Sequence, residues 1–169
     1  TADKAAVILS NWIKKPKNQR VLKKKKVLML QVGGNEITNG RKFEAIQKDM
    51  EELVNRIRII NPGITIFMGD IPVRGKWFDA KIKRGSDSGA ISKEQNLIRV
   101  NEWIANGGDG KDGGGKKFDF FPFNSFIANK DNPRYQRDDL AKSRPNMHLS
   151  DDGNKAAARY YFETLFGPS

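Results

Sequence analysis

The chain has no cysteine and a single histidine among its 169 residues. The first absence removes disulfides, thiolate metal sites and cysteine nucleophiles. The second removes any histidine-rich metal centre; the carboxylates Glu36, Asp70, Asp138 and Asp139 lack the paired spacing of a hard-cation site and read as loop residues, so no metal or cofactor is expected. No stretch approaches the ~20 apolar residues that a membrane-crossing helix needs. The N-terminal lysines follow an apolar segment, the reverse of the order in a secretory leader, so a soluble, intracellular chain is expected. Acidic residues are scarce as well: 20 Asp and Glu stand against 31 Lys and Arg, a net charge of +11. That excess is concentrated in residues 14–26 (KKPKNQRVLKKKK), which hold eight basic residues and no acid. Such a basic arm, with Lys23, Lys24, Lys25 and Lys26 at its end, suits nucleic-acid phosphates or an anionic membrane surface; a solvated linker is the open alternative.

What is present is enough apolar material, 37% of residues, for one ordinary domain over 1–169. In residues 2–13, Ala5, Ile8, Leu9, Trp12 and Ile13 share one helical face, and Pro16 ends that helix. Residues 27–32 (VLMLQV) form a nearly continuous apolar run, the pattern of a strand covered on both faces, and the run stops at Gly33-Gly34. Phe43, Ile46, Met50, Leu53, Val54 and Ile57 mark one stripe of a helix over 42–60 that Asn61-Pro62-Gly63 terminates. A second strand covers 64–68. Residues 72–91 lack periodicity and read as a long surface excursion. Ser92 and Gln95 have the spacing of a capping box opening a helix that carries Leu97, Val100, Asn101 and Ile104. A flexible loop over 107–117 and a third apolar run over 118–123 follow, and Ser150 suits the N-cap of a last helix. Strands separated by single helices predict an α/β fold, a three-layer α/β/α sandwich around a parallel sheet.

In an open parallel sheet ligands gather beyond the carboxyl ends of the strands. The junctions to inspect are Gly33-Gly34-Asn35-Glu36, Gly69-Asp70-Ile71-Pro72 and the segment Pro145-Asn146-Met147-His148-Leu149-Ser150 before the last helix. At the first, glycines permit a sharp turn and the Asn35 amide offers a hydrogen-bond donor; a turn residue bonded to its own backbone is the alternative. Residues 110–116 satisfy the Gly-x4-Gly-Lys spacing of a phosphate loop, but Lys117 stands where Ser or Thr is needed and a strand follows, which argues against nucleotide binding.

The order of these blocks resembles the SGNH (GDSL-like) hydrolase family. Gly33-Gly34-Asn35-Glu36 is similar to its Gly-x-Asn-Asp block, with Glu for Asp, and His148-Leu149-Ser150 with Asp151-Asp152-Gly153-Asn154 is similar to its histidine block. Within the family the chain looks most like the esterase domains of non-LTR retrotransposon first-open-reading-frame proteins, through VLMLQVGGNEITNG, INPGITIFMGDIPV and NLIRVNEWI. The resemblance covers about residues 21–166 and implies a flavodoxin-like sheet and hydrolysis of acyl or acetyl esters. It makes Asn35, with Gly33, part of an oxyanion hole and His148 the general base of a serine, with Gly34, Glu36 and Trp77 near the substrate. In the long excursion, apart from the resemblance, Trp77, Phe78 and Ile82 could form an apolar lip for a lipid chain; packing back onto the domain is the alternative.

Three departures stand out. No Gly-Asp-Ser occurs anywhere. Pro145 occupies the position of the family's aspartate, leaving Asp138 or Asp139 to orient the imidazole. The block supplying the other oxyanion donor is not identifiable. Only three core strands are visible where the family has five, so the first two are expected to be missing and the strand at Val27 to be a bare edge able to pair with another chain. Two functions follow: an ester hydrolase whose serine comes from sequence outside this chain, or an inactive SGNH-like scaffold that binds nucleic acid or a protein partner through its basic arm.

Overall fold

A computed structural model describes residues 12–75, 88–108, 115–142 and 149–167. The chain divides into two compact units, Thr1–Ile71 with Ser92–Pro122, and Pro72–Ile91 with Phe123–Ser169.

The first unit is built on a parallel sheet of order β1-β2-β3, with β1 at Val27–Leu30, β2 at Thr65–Gly69 and β3 at Asp119–Phe121. Val27 pairs with Thr65 and Leu30 with Met68, and Phe67 pairs with Asp119. Among the described residues β1 pairs on one side only, and three of its four side chains are half-buried. The third strand is shorter than the apolar run because Pro122 has no N–H to extend the ladder, and Phe123 already lies in the helical region.

Three longer helices belong to this unit in whole or part. Residues 12–14 form a helical turn that bends at Lys15, and α1 then spans Pro16–Lys23. The basic segment is therefore largely helical. Proline begins α1 without cost because the first helical N–H has no intrahelical partner anyway. Leu22 is buried, and the Asn61 side chain donates to the carbonyls of Leu22 (2.9 Å) and Lys25 (2.8 Å), fixing the end of the segment. Lys17, Arg20, Lys23, Lys24, Lys25 and Lys26 remain exposed.

A short helix, α2, spans Gly34–Thr38, and α3 spans Phe43–Ile60 with Ile46, Met50, Leu53, Val54 and Ile57 buried. Helix propensity differs by only a few tenths of a kcal/mol per residue, whereas burial of each such side chain is worth ~1.5–3 kcal/mol. The apolar stripe is thus what holds α3 in place. Helix α4 runs Ser88–Ala105, one turn earlier than the Ser92/Gln95 spacing suggests. Those two residues lie inside it, exposed, because the preceding turn continues the helix and leaves no free N–H for a cap to satisfy. Leu97, Val100 and Ile104 are buried as expected, and no helix among the described residues is long and apolar enough to cross a membrane.

The stretch read as a flexible loop is held at both ends. Gly107 and Gly108 adopt positive φ (70° and 75°) and donate to the carbonyls of Ile104 and Trp103, closing α4. A Cβ on Gly108 would sit 2.6 Å from the Phe118 ring, which packs edge-on against Trp103. Lys117 pairs with Glu51 of α3 at 2.7 Å, and β3 follows, as the departure from a phosphate loop requires.

The second unit contains α5, Asn124–Ile127, which the sequence reading passes over as part of a polar segment, and α6, Asp151–Phe166. Tyr161 stacks on Phe123 and Tyr160 on Phe126, with ring centroids 5.2 and 4.6 Å apart. Ser150 is the N-cap of α6, as expected, accepting from the Gly153 N–H at 2.9 Å, with Asp151 and Asp152 in the first turn where they complement the helix dipole.

Candidate functional site

The carboxyl end of β1 leads into the turn that carries Gly33, Gly34 and Asn35. Gly33 has φ 104°, outside the range side chains tolerate, and it is buried. A Cβ there would meet Met50 Cε at 2.5 Å and Ile71 Cδ1 at 2.7 Å. Glycine lets the backbone leave β1 at this angle and enter α2 at once. Ile37 N–H closes the turn onto the Gly33 carbonyl (3.2 Å), and the Thr38 hydroxyl donates to Gly34 O (2.9 Å). Asn35 is exposed on the first turn of α2, so it sits on a helix and not in an open loop. Glu36 turns the other way and is buried, 5% exposed, beside Val32, Gly33, Ile46, Asp49 and Met50.

At the end of β2, Asp70 is buried and its N–H donates to the Phe121 carbonyl at 3.3 Å. The next residue is clamped: Asn101 of α4 accepts from the Ile71 N–H at 2.7 Å and donates to the Ile71 carbonyl at 3.0 Å. Asn101 interrupts the apolar face of α4, and that break in an otherwise periodic pattern is the signal by which the sequence marks it. In the second unit, Asn124 accepts from the Val73 N–H (3.0 Å), and buried Gln136 donates to the Val73 carbonyl (3.0 Å). No local pattern announces Gln136.

Trp77 and His148, with Pro145, Phe78 and Ile82, lie outside the described residues. The flanks of the histidine block are defined. Ala141 and Leu149 form an antiparallel bridge, and the Ser150 N–H donates to Leu140 O at 2.8 Å, bringing the two ends of the segment 142–148 together. A Cβ on Gly153 would lie 2.0 Å from that same Leu140 oxygen, so α6 packs backbone to backbone here. Of the two acids suggested to orient the histidine, Asp139 is bound at both oxygens by Arg137 (3.0 and 2.6 Å). That contact holds its carboxyl below the usual range. Asp138 is exposed in the same turn.

Ser92 is exposed on α4, Ser125 shares a hydrogen bond with Tyr160 (3.1 Å), and Ser150 caps α6. Among the described residues no group of three or more His, Cys, Asp or Glu is placed to hold a metal ion. Lys23, Lys24, Lys25 and Lys26 are exposed beyond and at the end of α1, and no ion pair joins them to the described acids.

No protein-family model matches the chain, and no curated protein matches it in sequence. Solved structures do match in fold. One is the OSK domain of Drosophila Oskar, with TM-score 0.58 and 12% identity over 83% of this chain and 62% of that one. Another is the salicylyl-acyltransferase SsfX3 from a tetracycline biosynthetic pathway, with TM-score 0.51 and 15% identity over 93% of this chain and 43% of that one. The chain therefore spans less than two thirds of either neighbour's length. At these identities the likeness concerns fold alone: a mixed α/β chain with a three-stranded parallel sheet.

Proposed function

We propose that the chain is an SGNH-like ester-hydrolase domain, with Asn35 and the Gly33 turn donating to the oxyanion, His148 as general base, and a serine contributed from outside these residues. The observation that carries this reading is the turn at the carboxyl end of β1. Gly33, at a φ that excludes side chains, starts α2 so that Asn35 stands exposed on its first turn. A fixed amide donor aimed at a developing oxyanion is worth ~3 kcal/mol, about 100-fold in rate. Histidine suits the proton transfer because its ordinary pKa lies near neutrality. Gly34, Glu36 and Trp77 would shape the substrate's surroundings, and Asp138 or, once released from Arg137, Asp139 would orient the imidazole. The acyltransferase among the structural neighbours agrees with acyl chemistry on this fold. The test is hydrolysis of p-nitrophenyl acetate by this chain and by one extended at its N-terminus. The extended chain should be active and lose about 100-fold on Asn35→Ala. Inactivity of both, with no effect of His148→Ala, would sink the proposal.

A second reading, a non-catalytic SGNH-like scaffold for nucleic acid, draws on the basic segment. Helix α1 is anchored through Leu22 and Asn61 while its cations face outward, so they are presented on a fixed surface. It calls for RNA binding that weakens steeply with salt and is lost when Lys23, Lys24, Lys25 and Lys26 are neutralised. Absent or salt-independent binding removes it.

A further inference from the structure

We propose that the cleft walled by residues 37–44 and by residues 92–99 of α4 is a binding site for a phosphate dianion, free or as a monoester. The whole cleft lies within the first unit and encloses about 270 Å³. That is near the ~300 Å³ lower bound of small-ligand pockets, the size for one compact group and not for a polymer groove.

Its lining is cationic out of proportion to the rest of the unit. Arg41 and Lys42 stand on one wall and Lys93 and Arg99 on the other, with Glu44 the sole carboxylate among the lining residues. Arg41 is held by Asp49 behind it at 2.6 Å, and Arg99 by Glu44 at 3.1 Å. Lys42 and Lys93 have no ion-pair partner among the described residues. Four cations stand against these two carboxylates, a positive excess of the sign that a phosphate dianion needs.

The arrangement is also preset. Asn96 donates from its amide to the Arg41 carbonyl at 2.7 Å, tying the loop before α3 to α4. The Arg99 guanidinium lies 4.6 Å from the centre of the Phe43 ring, which holds its plane. A ligand would therefore find two oriented forks and two mobile ammonium groups already in place, the combination that recognises phosphate by planar pairing and by point charge. Preset donors lose little entropy on binding. The Glu44 carboxyl is held below its ordinary range by its own backbone N–H, then by Arg99, with Lys42 contributing.

The exposed lysine run at 23–26 lies outside this cleft, and this contrast provides the control. The experiment is an amide NMR titration of the full chain at constant ionic strength with inorganic phosphate, glycerol 3-phosphate and dimethyl phosphate, using chloride as blank. Saturable shifts should cluster at residues 41–45 and 92–99 with the first two ligands. The monoanionic diester should bind about tenfold more weakly or worse. Binding of both dianions assigns the site to monoesters, and binding of inorganic phosphate alone assigns it to the free ion. Lys42→Gln with Lys93→Gln should weaken binding about tenfold, and Arg99→Gln should do likewise, while Lys24→Gln with Lys25→Gln leaves it unchanged. Equal weakening by the two lysine pairs, shifts that do not saturate, or dimethyl phosphate binding as tightly as phosphate would overturn the proposal. Retained amide dispersion in each variant shows that loss is not unfolding.

Discussion

Gly153 sits at the third position of α6, where alanine would ordinarily favour the helix by ~1 kcal/mol. The structure predicts the opposite sign. An added Cβ would lie 2.0 Å from Leu140 O and 2.9 Å from its carbonyl carbon, both main-chain atoms that no rotamer change can move. Reaching ordinary contact requires α6 to withdraw by more than an ångström from the 140–141 segment. That movement stretches the Ser150 N–H bond to Leu140 O (2.8 Å) and the Ala141/Leu149 bridge. Two weakened hydrogen bonds at ~1 kcal/mol each and overpacking of ~1–3 kcal/mol outweigh the propensity gain. Gly153→Ala should therefore destabilise the second unit by about 2–4 kcal/mol net. Urea denaturation followed by circular dichroism and by tyrosine fluorescence reads this directly, because Tyr160 and Tyr161 ride on α6. Gly63→Ala is the control: the nearest atom to its Cβ is 3.9 Å away, φ is not positive, and the change should be neutral or stabilising by up to ~1 kcal/mol. A Gly153→Ala protein as stable as the parent, or more so, would refute the close approach of α6 to Leu140.

Asn101→Ala removes both bonds to Ile71, which is fully buried, and should cost about 2–4 kcal/mol, measured by the same denaturation; a loss under ~0.5 kcal/mol would mean the clamp is not formed. Gly33→Ala should cost about 1–3 kcal/mol, mainly from backbone strain at φ 104°, since the atoms it meets are the movable ends of Met50 and Ile71. Ser150→Ala removes the cap of α6 and should cost ~1 kcal/mol, with Ser150→Asn recovering most of it. Because Arg137 lowers the folded pKa of Asp139, the stabilisation from this pair is present above the unfolded carboxyl pKa and disappears as pH falls through the folded value. Carbon-detected carboxyl titration should show the Asp139 midpoint rising on Arg137→Gln; an unmoved midpoint would show that Arg137 is not the cause.

Much of this architecture is local information, and local information is legible in a sequence. The stripe from Ile46 to Ile57 states which face of α3 must be buried, and the runs at Val27 and Ile64 mark where two strands form, although β1 is only half-buried at three of its four residues. Ser150 marks the start of α6 because its hydroxyl can bond an N–H three residues on. The Gly33 turn is readable for the same reason: only glycine adopts its φ without strain. The chemistry expected of Asn35 rests on a resemblance of motifs, and His148 and Trp77 lie outside the described residues.

Other features depended on partners far along the chain. Helix α1 exists within a lysine-rich segment because Leu22 finds a buried place and Asn61 bonds the Leu22 carbonyl near its end and the Lys25 carbonyl just beyond it. The start of α4 lies a turn before the apparent capping box, since Ser and Gln at that spacing are compatible with a helix interior as well as with its end. The cationic cleft is the clearest case. Arg41 and Lys42 are separated from Lys93 and Arg99 by some fifty residues of sequence, whereas the conspicuous charge in the sequence is the run at 23–26. Sequence alone determined the amount of positive charge and the faces each helix must bury; packing α4 beside the loop before α3 decided where four of those charges converge, because convergence is a property of distance in space that no periodicity encodes.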